Sequence, residues 1–166
     1  MILRSTLLTV VAIAVLITSA EAVPRPPKAN SQQGTVLKLY RDFAWEAVMD
    51  VPGWDGLMDQ PRKVLDQYFD EKLTSLILRD RACAEKKGMC RLDFCPIWAS
   101  QDPSAGDLQV EPSDKPNYVS VKFRYPSTNE KVELKYRLTQ TPKGWRISDI
   151  IGPDWSLLNI LTAPSE

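Results

Sequence analysis

In the second half of this chain the hydrophobic pattern has period two. From Tyr118 to Tyr125, Val119, Val121, Phe123 and Tyr125 alternate with Ser120, Lys122 and Arg124. From Lys131 to Leu138, Val132, Leu134, Tyr136 and Leu138 alternate with Lys131, Glu133, Lys135 and Arg137. Successive side chains of a strand point to opposite faces, so each segment has one apolar and one polar face. Such strands form an antiparallel sheet covered on one side only. Pro126-Ser127-Thr128-Asn129 reads as the hairpin loop between them, and Pro142-Lys143-Gly144 turns the chain into a third strand, Trp145 to Ile151. An earlier strand near Leu108–Glu111 pairs with the first across Ser113–Asn117.

The first half supplies the cover. Val36, Tyr40, Phe43 and Ala47, with Leu37, Ala44 and Val48, recur at helical spacing from Thr35 to about Asp50, where Val51-Pro52-Gly53 ends the pattern. A short helix starts near Pro61 and carries Val64, Leu65, Tyr68 and Phe69. Asp70 is the expected N-cap of a third helix running to about Lys86, with Glu71 in its first turn and Gly88 as its stop. Its stripe is Leu73, Leu76, Ile77 and Ala84, and Asp80 lies on it. An amphipathic tail, Trp155 to Leu161, closes the chain. Helices followed by a strand meander predict an α+β fold, a curved antiparallel sheet packed on N-terminal helices, as one domain over 35–161.

The N-terminus predicts export. Arg4 precedes a mostly apolar run from Leu7 to Ile17, and Ala20-Glu21-Ala22 matches the small-x-small pattern of a cleavage site. The run would rise roughly 16 Å as a helix, about half a bilayer's hydrocarbon core, which suits a signal peptide over 1–22 better than an anchor. No later segment is long and apolar enough to span a membrane. Residues 23–34, with three prolines and no apolar period, read as a flexible linker. The expected location is periplasmic or secreted, after cleavage near Ala22.

Charge and composition narrow the function. The chain has 21 basic and 21 acidic side chains, and cleavage removes one of each, Arg4 and Glu21. A balanced charge disfavours nucleic acid and anionic membrane surfaces as partners. Histidine is absent, which removes the commonest general base and transition-metal ligand. Three cysteines without a second pair argue against a zinc site, and no cofactor is implied. In an oxidising compartment two of Cys83, Cys90 and Cys95 pair. The turn at Gly88 favours Cys83–Cys90, with Cys90–Cys95 as the rival. Pro96, Phe94 and Ile97 around Cys95 suggest a buried thiol.

The order of elements, together with Gly144-Trp145-Arg146-Ile147-Ser148-Asp149-Ile150 on the last strand, resembles the nuclear transport factor two-like (cystatin-like cone) fold. Leu37 to Phe43, Leu92-Asp93-Phe94-Cys95-Pro96-Ile97 with Gln101-Asp102, and Trp145 to Ile150 resemble more closely a secreted bacterial group, domain of unknown function thirty-eight twenty-eight. The resemblance spans about Thr35 to Leu161. It implies a pocket between the sheet's concave face and the helices, and no particular activity. In that group an Asp is expected where this chain has Cys95, which supports leaving Cys95 out of the disulfide.

On that fold, simple alternation puts Asp149 on the apolar face with Trp145 and Ile147. Asp80 lies on the inward stripe of its helix, and Gln101 and Asp102 end the segment leading into the sheet. With Asp93 and Trp145 these form the candidate pocket, where desolvation would raise a carboxyl pKa. The competing structural role is capping helix ends and tying loops through backbone N–H groups. Trp45, off the main helical stripe, and Trp54, in a loop, are candidate interface residues, since indoles are frequent interface anchors. Lys122, Arg124, Lys135 and Arg137 read as a solvated face. No spacing identifies a general base. The sequence therefore favours a non-catalytic module that binds an envelope or secreted protein, of accessory or inhibitor/immunity type. The alternative is a small-molecule-binding protein, or a His-free lyase or isomerase using Asp80, Asp102 and Asp149.

Overall fold

Ser31 starts the fold. The structure, a computed structural model, describes residues 26–49 and 55–164; the expected signal peptide over 1–22 and Trp54 lie outside them. Helix α1, Gln32–Phe43, begins where the Ser31 hydroxyl accepts the Gly34 N–H at 3.0 Å, satisfying one of the four unpaired donors of a helix start. The Ser31 N–H donates to the Lys28 carbonyl at 2.9 Å, folding the preceding residues back on the helix. A Cβ on Gly34 would stand 2.2 Å from that same Lys28 oxygen. The expected linker is therefore too long: its last residues, from Lys28 to Gly34, belong to the fold, because Ser31 caps a helix four residues earlier than the apolar pattern begins.

The α-helix also ends earlier than the apolar stripe does. After Phe43 the chain tightens into a 3-10 turn, Ala44–Ala47, and the N–H groups of Val48 and Met49 both return to the Trp45 carbonyl. A second 3-10 turn, Leu57–Asp59, precedes the short helix α2, Arg62–Leu65. Helix α2 is shorter than its apolar residues suggest, because Tyr68 and Phe69 leave it to pair with the sheet. The Ile147 N–H donates to the Tyr68 carbonyl at 2.8 Å, and the Asp70 N–H donates to the Ile147 carbonyl at 3.0 Å. Helix α3, Glu71–Lys87, has Asp70 as its N-cap, accepting from the Leu73 N–H, and Gly88 at φ 84° as its stop.

The strands β1 Gly106–Pro112, β2 Tyr118–Arg124, β3 Lys131–Thr141 and β4 Gly144–Ile151 form an antiparallel meander in the order β1-β2-β3-β4. The fold is α+β, as the change of period predicts. Val119 faces Tyr136, Val121 faces Leu134 and Phe123 faces Val132, giving one continuous apolar face. The stripes of α1 (Val36, Leu39, Tyr40, Phe43) and α3 (Leu73, Leu76, Ile77) join these residues in the core. Helix α4, Leu157–Thr162, adds Leu157 and Leu161 to the same core. Segment 68–70 and the bridge between Ile151 and Ser156 cover the free edge of β4, where a bare edge would invite pairing with other chains.

One irregularity overturns the expected orientation of Asp149. Leu138 pairs with Ile147 but Arg137 pairs with Asp149, so Ser148 is an extra residue, a β-bulge. Beyond it every side chain changes face. Ile150 points inward opposite Tyr136, and Asp149 shares the outer face with Arg137.

The hollow of the sheet, where the resemblance places a pocket, is filled. Trp98 is 2% exposed and packs edge-on against Tyr40 and Phe123, with ring centroids 5.0 and 5.6 Å apart. Tyr40 donates to the Ile97 carbonyl at 2.7 Å and accepts the Tyr136 hydroxyl at 2.7 Å.

The contact at Gly34 gives a direct check on the N-terminal docking. Gly34→Ala should destabilise the domain by about 2 kcal/mol, seen as a fall of roughly 4–8 °C in the thermal midpoint. An unchanged midpoint would mean that Lys28–Ser31 is not held against α1.

A candidate binding groove

Three short segments that are not regular helix or strand meet on one side of the fold. They are the turn Ala44–Ala47, the turn Leu57–Asp59 and the stretch from Asp93 to Ser104. Glu46 joins them. Its Oε1 accepts the Leu57 N–H, and its Oε2 lies 3.2 Å from the Cys95 thiol. A Cβ on Gly56 would stand 3.1 Å from that carboxylate, so a small residue there gives it room. The Trp98 indole N–H is buried and has no hydrogen-bond partner among the described residues. It nevertheless approaches the Glu46 carboxylate and helps to lower its pKa, although it falls short of hydrogen-bond geometry. Burial is the largest influence on Glu46 and raises its pKa; the Leu57, Cys95 and Trp98 donors oppose that, and nearby Asp59 reinforces it, for a net rise above the ordinary value. Burial and the Glu46 charge push the Cys95 thiol well above its usual range. The thiol is thus the donor and the carboxylate the acceptor.

Around this junction lies a groove of about 760 Å³. Trp45, Val48, Met49, Met58 and Phe94 supply its apolar surface, and Glu46, Asp59, Asp93 and Asp102 its charge. No lysine or arginine stands among its described lining residues. Val48 is 75% and Met49 51% exposed, and Trp45 is partly buried against the core. Exposed apolar side chains gathered beside a concavity are one mark of an interaction site, whereas singly exposed ones are ordinary.

The structure divides the candidate residues. Trp45, Asp93, Gln101 and Asp102 converge on the groove, with Gln101 Nε2 donating to Asp93 at 3.4 Å. Asp80 does not join them. Buried on α3, it accepts the N–H groups of Arg91 and Leu92 at 3.0 and 3.1 Å. It thereby fastens the chain that follows the Cys83–Cys90 disulfide, whose Cα atoms are 5.8 Å apart. Asp149 is 4% exposed and also stands apart. It accepts the Leu158 N–H at 2.9 Å and the Ser156 hydroxyl, with Arg137 3.7 Å away, and so caps α4. Trp145 packs partly buried against the core and does not line the groove.

Sequence reasoning missed Glu46, the central carboxylate. A usable signal existed in the local charge. Residues 42–61 hold Asp42, Glu46, Asp50, Asp55 and Asp59 and no basic residue. Residues 92–114 hold Asp93, Asp102, Asp107, Glu111 and Asp114, again with no basic residue. The neutral total conceals two acidic stretches, from which the fold brings Glu46, Asp59, Asp93 and Asp102 to one groove.

Two measurements separate the roles of these acids. Asp80→Ala strands the part-buried N–H groups of Arg91 and Leu92, Asp149→Ala strands that of Leu158, and each should cost about 2 kcal/mol in denaturant unfolding. For Glu46, a folded pKa above the unfolded value means that the native state binds the proton more tightly. Its contribution is then most favourable at low pH and is lost as pH rises from about 4.5 through the folded value. Stability of the native protein relative to Glu46→Gln should therefore fall with rising pH in that window. A rising difference would mean that the donors outweigh burial.

No protein-family model matches the chain, and no curated protein matches it. Among solved structures, the chain is similar to a phospholipid-binding protein from Ralstonia solanacearum determined in complex with a phospholipid. The TM-score is 0.44 and the identity 15%, over 78% of this chain and 82% of that one.

Proposed function

We propose that this chain is an exported, non-catalytic module that holds a protein partner in the groove between the turns Ala44–Ala47 and Leu57–Asp59 and the segment 93–104. The observation that carries this reading is the exposure of Val48 and Met49 beside Trp45 on the wall of a groove of about 760 Å³. Trp and Met are enriched where proteins meet, and a partner covering those side chains removes apolar area from water. Export is supported by the signal-like 1–22 segment and by the Cys83–Cys90 disulfide, since such bonds persist in oxidising compartments. Among the described residues no helix is long and apolar enough to cross a membrane. Helices followed by a four-stranded meander support extending the resemblance to the secreted group thirty-eight twenty-eight, and to the nuclear transport factor two-like cone, across 35–161.

A second reading, a small-molecule site, draws on Glu46. A carboxyl with a raised pKa at the floor of a groove suits proton transfer or capture of a polar ligand.

Site-specific photo-crosslinking in the protein's own envelope tests the first reading. A photoreactive residue at Met49 should capture one dominant protein, and the same probe at Lys135, on the outer face of the sheet, should not. Binding of that purified protein should weaken on the order of tenfold or more in Trp45→Ala. It should also weaken in Val48→Ser, whose exposed position leaves folding intact. Capture only at Lys135 would overturn the reading. No capture, with a small molecule retained in native mass spectrometry, would replace it by the second.

A further inference from the structure

Five carboxylates outside the groove have found cations, while others, such as Asp114 and Asp154, form no ion pair among the described residues. Asp42 meets Lys38 at 2.6 Å, Asp107 meets Arg124 at 2.6 Å and Glu111 meets Lys122 at 2.8 Å. Asp149 and Arg137 stand 3.7 Å apart, and Asp66 and Arg62 3.9 Å. The four carboxylates of the groove, Glu46, Asp59, Asp93 and Asp102, form no ion pair among the described residues. They face a shared concavity whose other surface is apolar. Like charges gathered there repel one another, as Asp59 shows by raising the Glu46 pKa. An occupant bearing positive charge relieves that repulsion, and one bearing negative charge adds to it.

Resting on the proposed function, we infer that the groove selects its partner by charge, and that the occupant is a cationic amphipathic segment of a protein. Its lysines or arginines meet Asp93, Asp102 and Asp59, and its apolar side chains lie on Met49, Trp45 and Phe94. The same arrangement works against anionic ligands. A lipid phosphate or a nucleic-acid backbone entering this groove meets four carboxylates and no lysine or arginine among the described lining residues.

The test uses the mature protein and three probes: a labelled lysine–leucine amphipathic peptide, its glutamate–leucine counterpart, and phosphatidylglycerol vesicles. Fluorescence anisotropy should show binding of the lysine peptide alone, weakened as salt is raised. Reversing the two exposed groove acids, Asp93→Lys with Asp102→Lys, should weaken it more than about tenfold. Reversing two exposed acids outside the groove, Asp114→Lys with Asp154→Lys, should change it less than about twofold. Equal losses in the two double variants would show unspecific attraction and overturn the inference. Binding of the acidic peptide or the vesicles would overturn it as well. If it fails while a probe at Met49 still captures a partner that depends on Trp45, the groove docks a protein without selecting charge. If both fail, the proposed function fails with it.

Discussion

A curved sheet with a single apolar face leaves a hollow that two helices laid across it do not fill, and here an indole fills it. Trp98 reaches that position from an irregular loop, in which the Cys95 N–H donates to the Ser100 carbonyl and Ala99 adopts φ 50°. Loop carbonyls carried into a core need donors. Tyrosines provide them: Tyr40 reaches the Ile97 carbonyl, and Tyr125 reaches those of Trp98 and Ala99 at 2.8 and 2.9 Å. The loop is thereby held from the α1 side and the sheet side at once. Because the hollow is occupied, the groove lies outside it, on the flank where Glu46 meets the same loop.

The elements of this fold are legible because each rests on a local rule. Alternation gave β2 and β3, Asp70 and Gly88 bounded α3, and the turn at Gly88 favoured the disulfide that formed. What was not legible depends on contacts distant in sequence. The Ser148 bulge is invisible to a count of alternating residues, and it sent Asp149 to the opposite face, where α4 needed a cap. Trp98 carries no pattern that separates it from the other tryptophans until the sheet has closed around it. Of the candidate residues, Trp45, Asp93, Gln101 and Asp102 reached one place because their short segments share Glu46 as a tie. Asp80 lies on the inward stripe as its spacing suggests, Asp149 lies on the face opposite to the one its alternation suggests, and both are engaged by nearby donors.

The charge of the molecule is an arrangement rather than a total. On the outer face of the sheet, acids and bases alternate closely enough to neutralise each other, as in the Lys122–Glu111 and Arg124–Asp107 pairs. Around the groove they do not. Glu46 bridges two segments through its hydrogen bonds while contributing to the repulsion there, so the integrity of this flank and its affinity for cations involve one side chain.

Cys95 donates its thiol proton to Glu46 from a site that keeps the thiol protonated. Only a thiolate attacks a disulfide. The third cysteine of the chain, a few residues from Cys90, is therefore chemically silent toward the Cys83–Cys90 bond once the domain is complete. Burial beside Glu46 thus shields the native Cys83–Cys90 pairing from the free thiol that lies nearest to it in sequence.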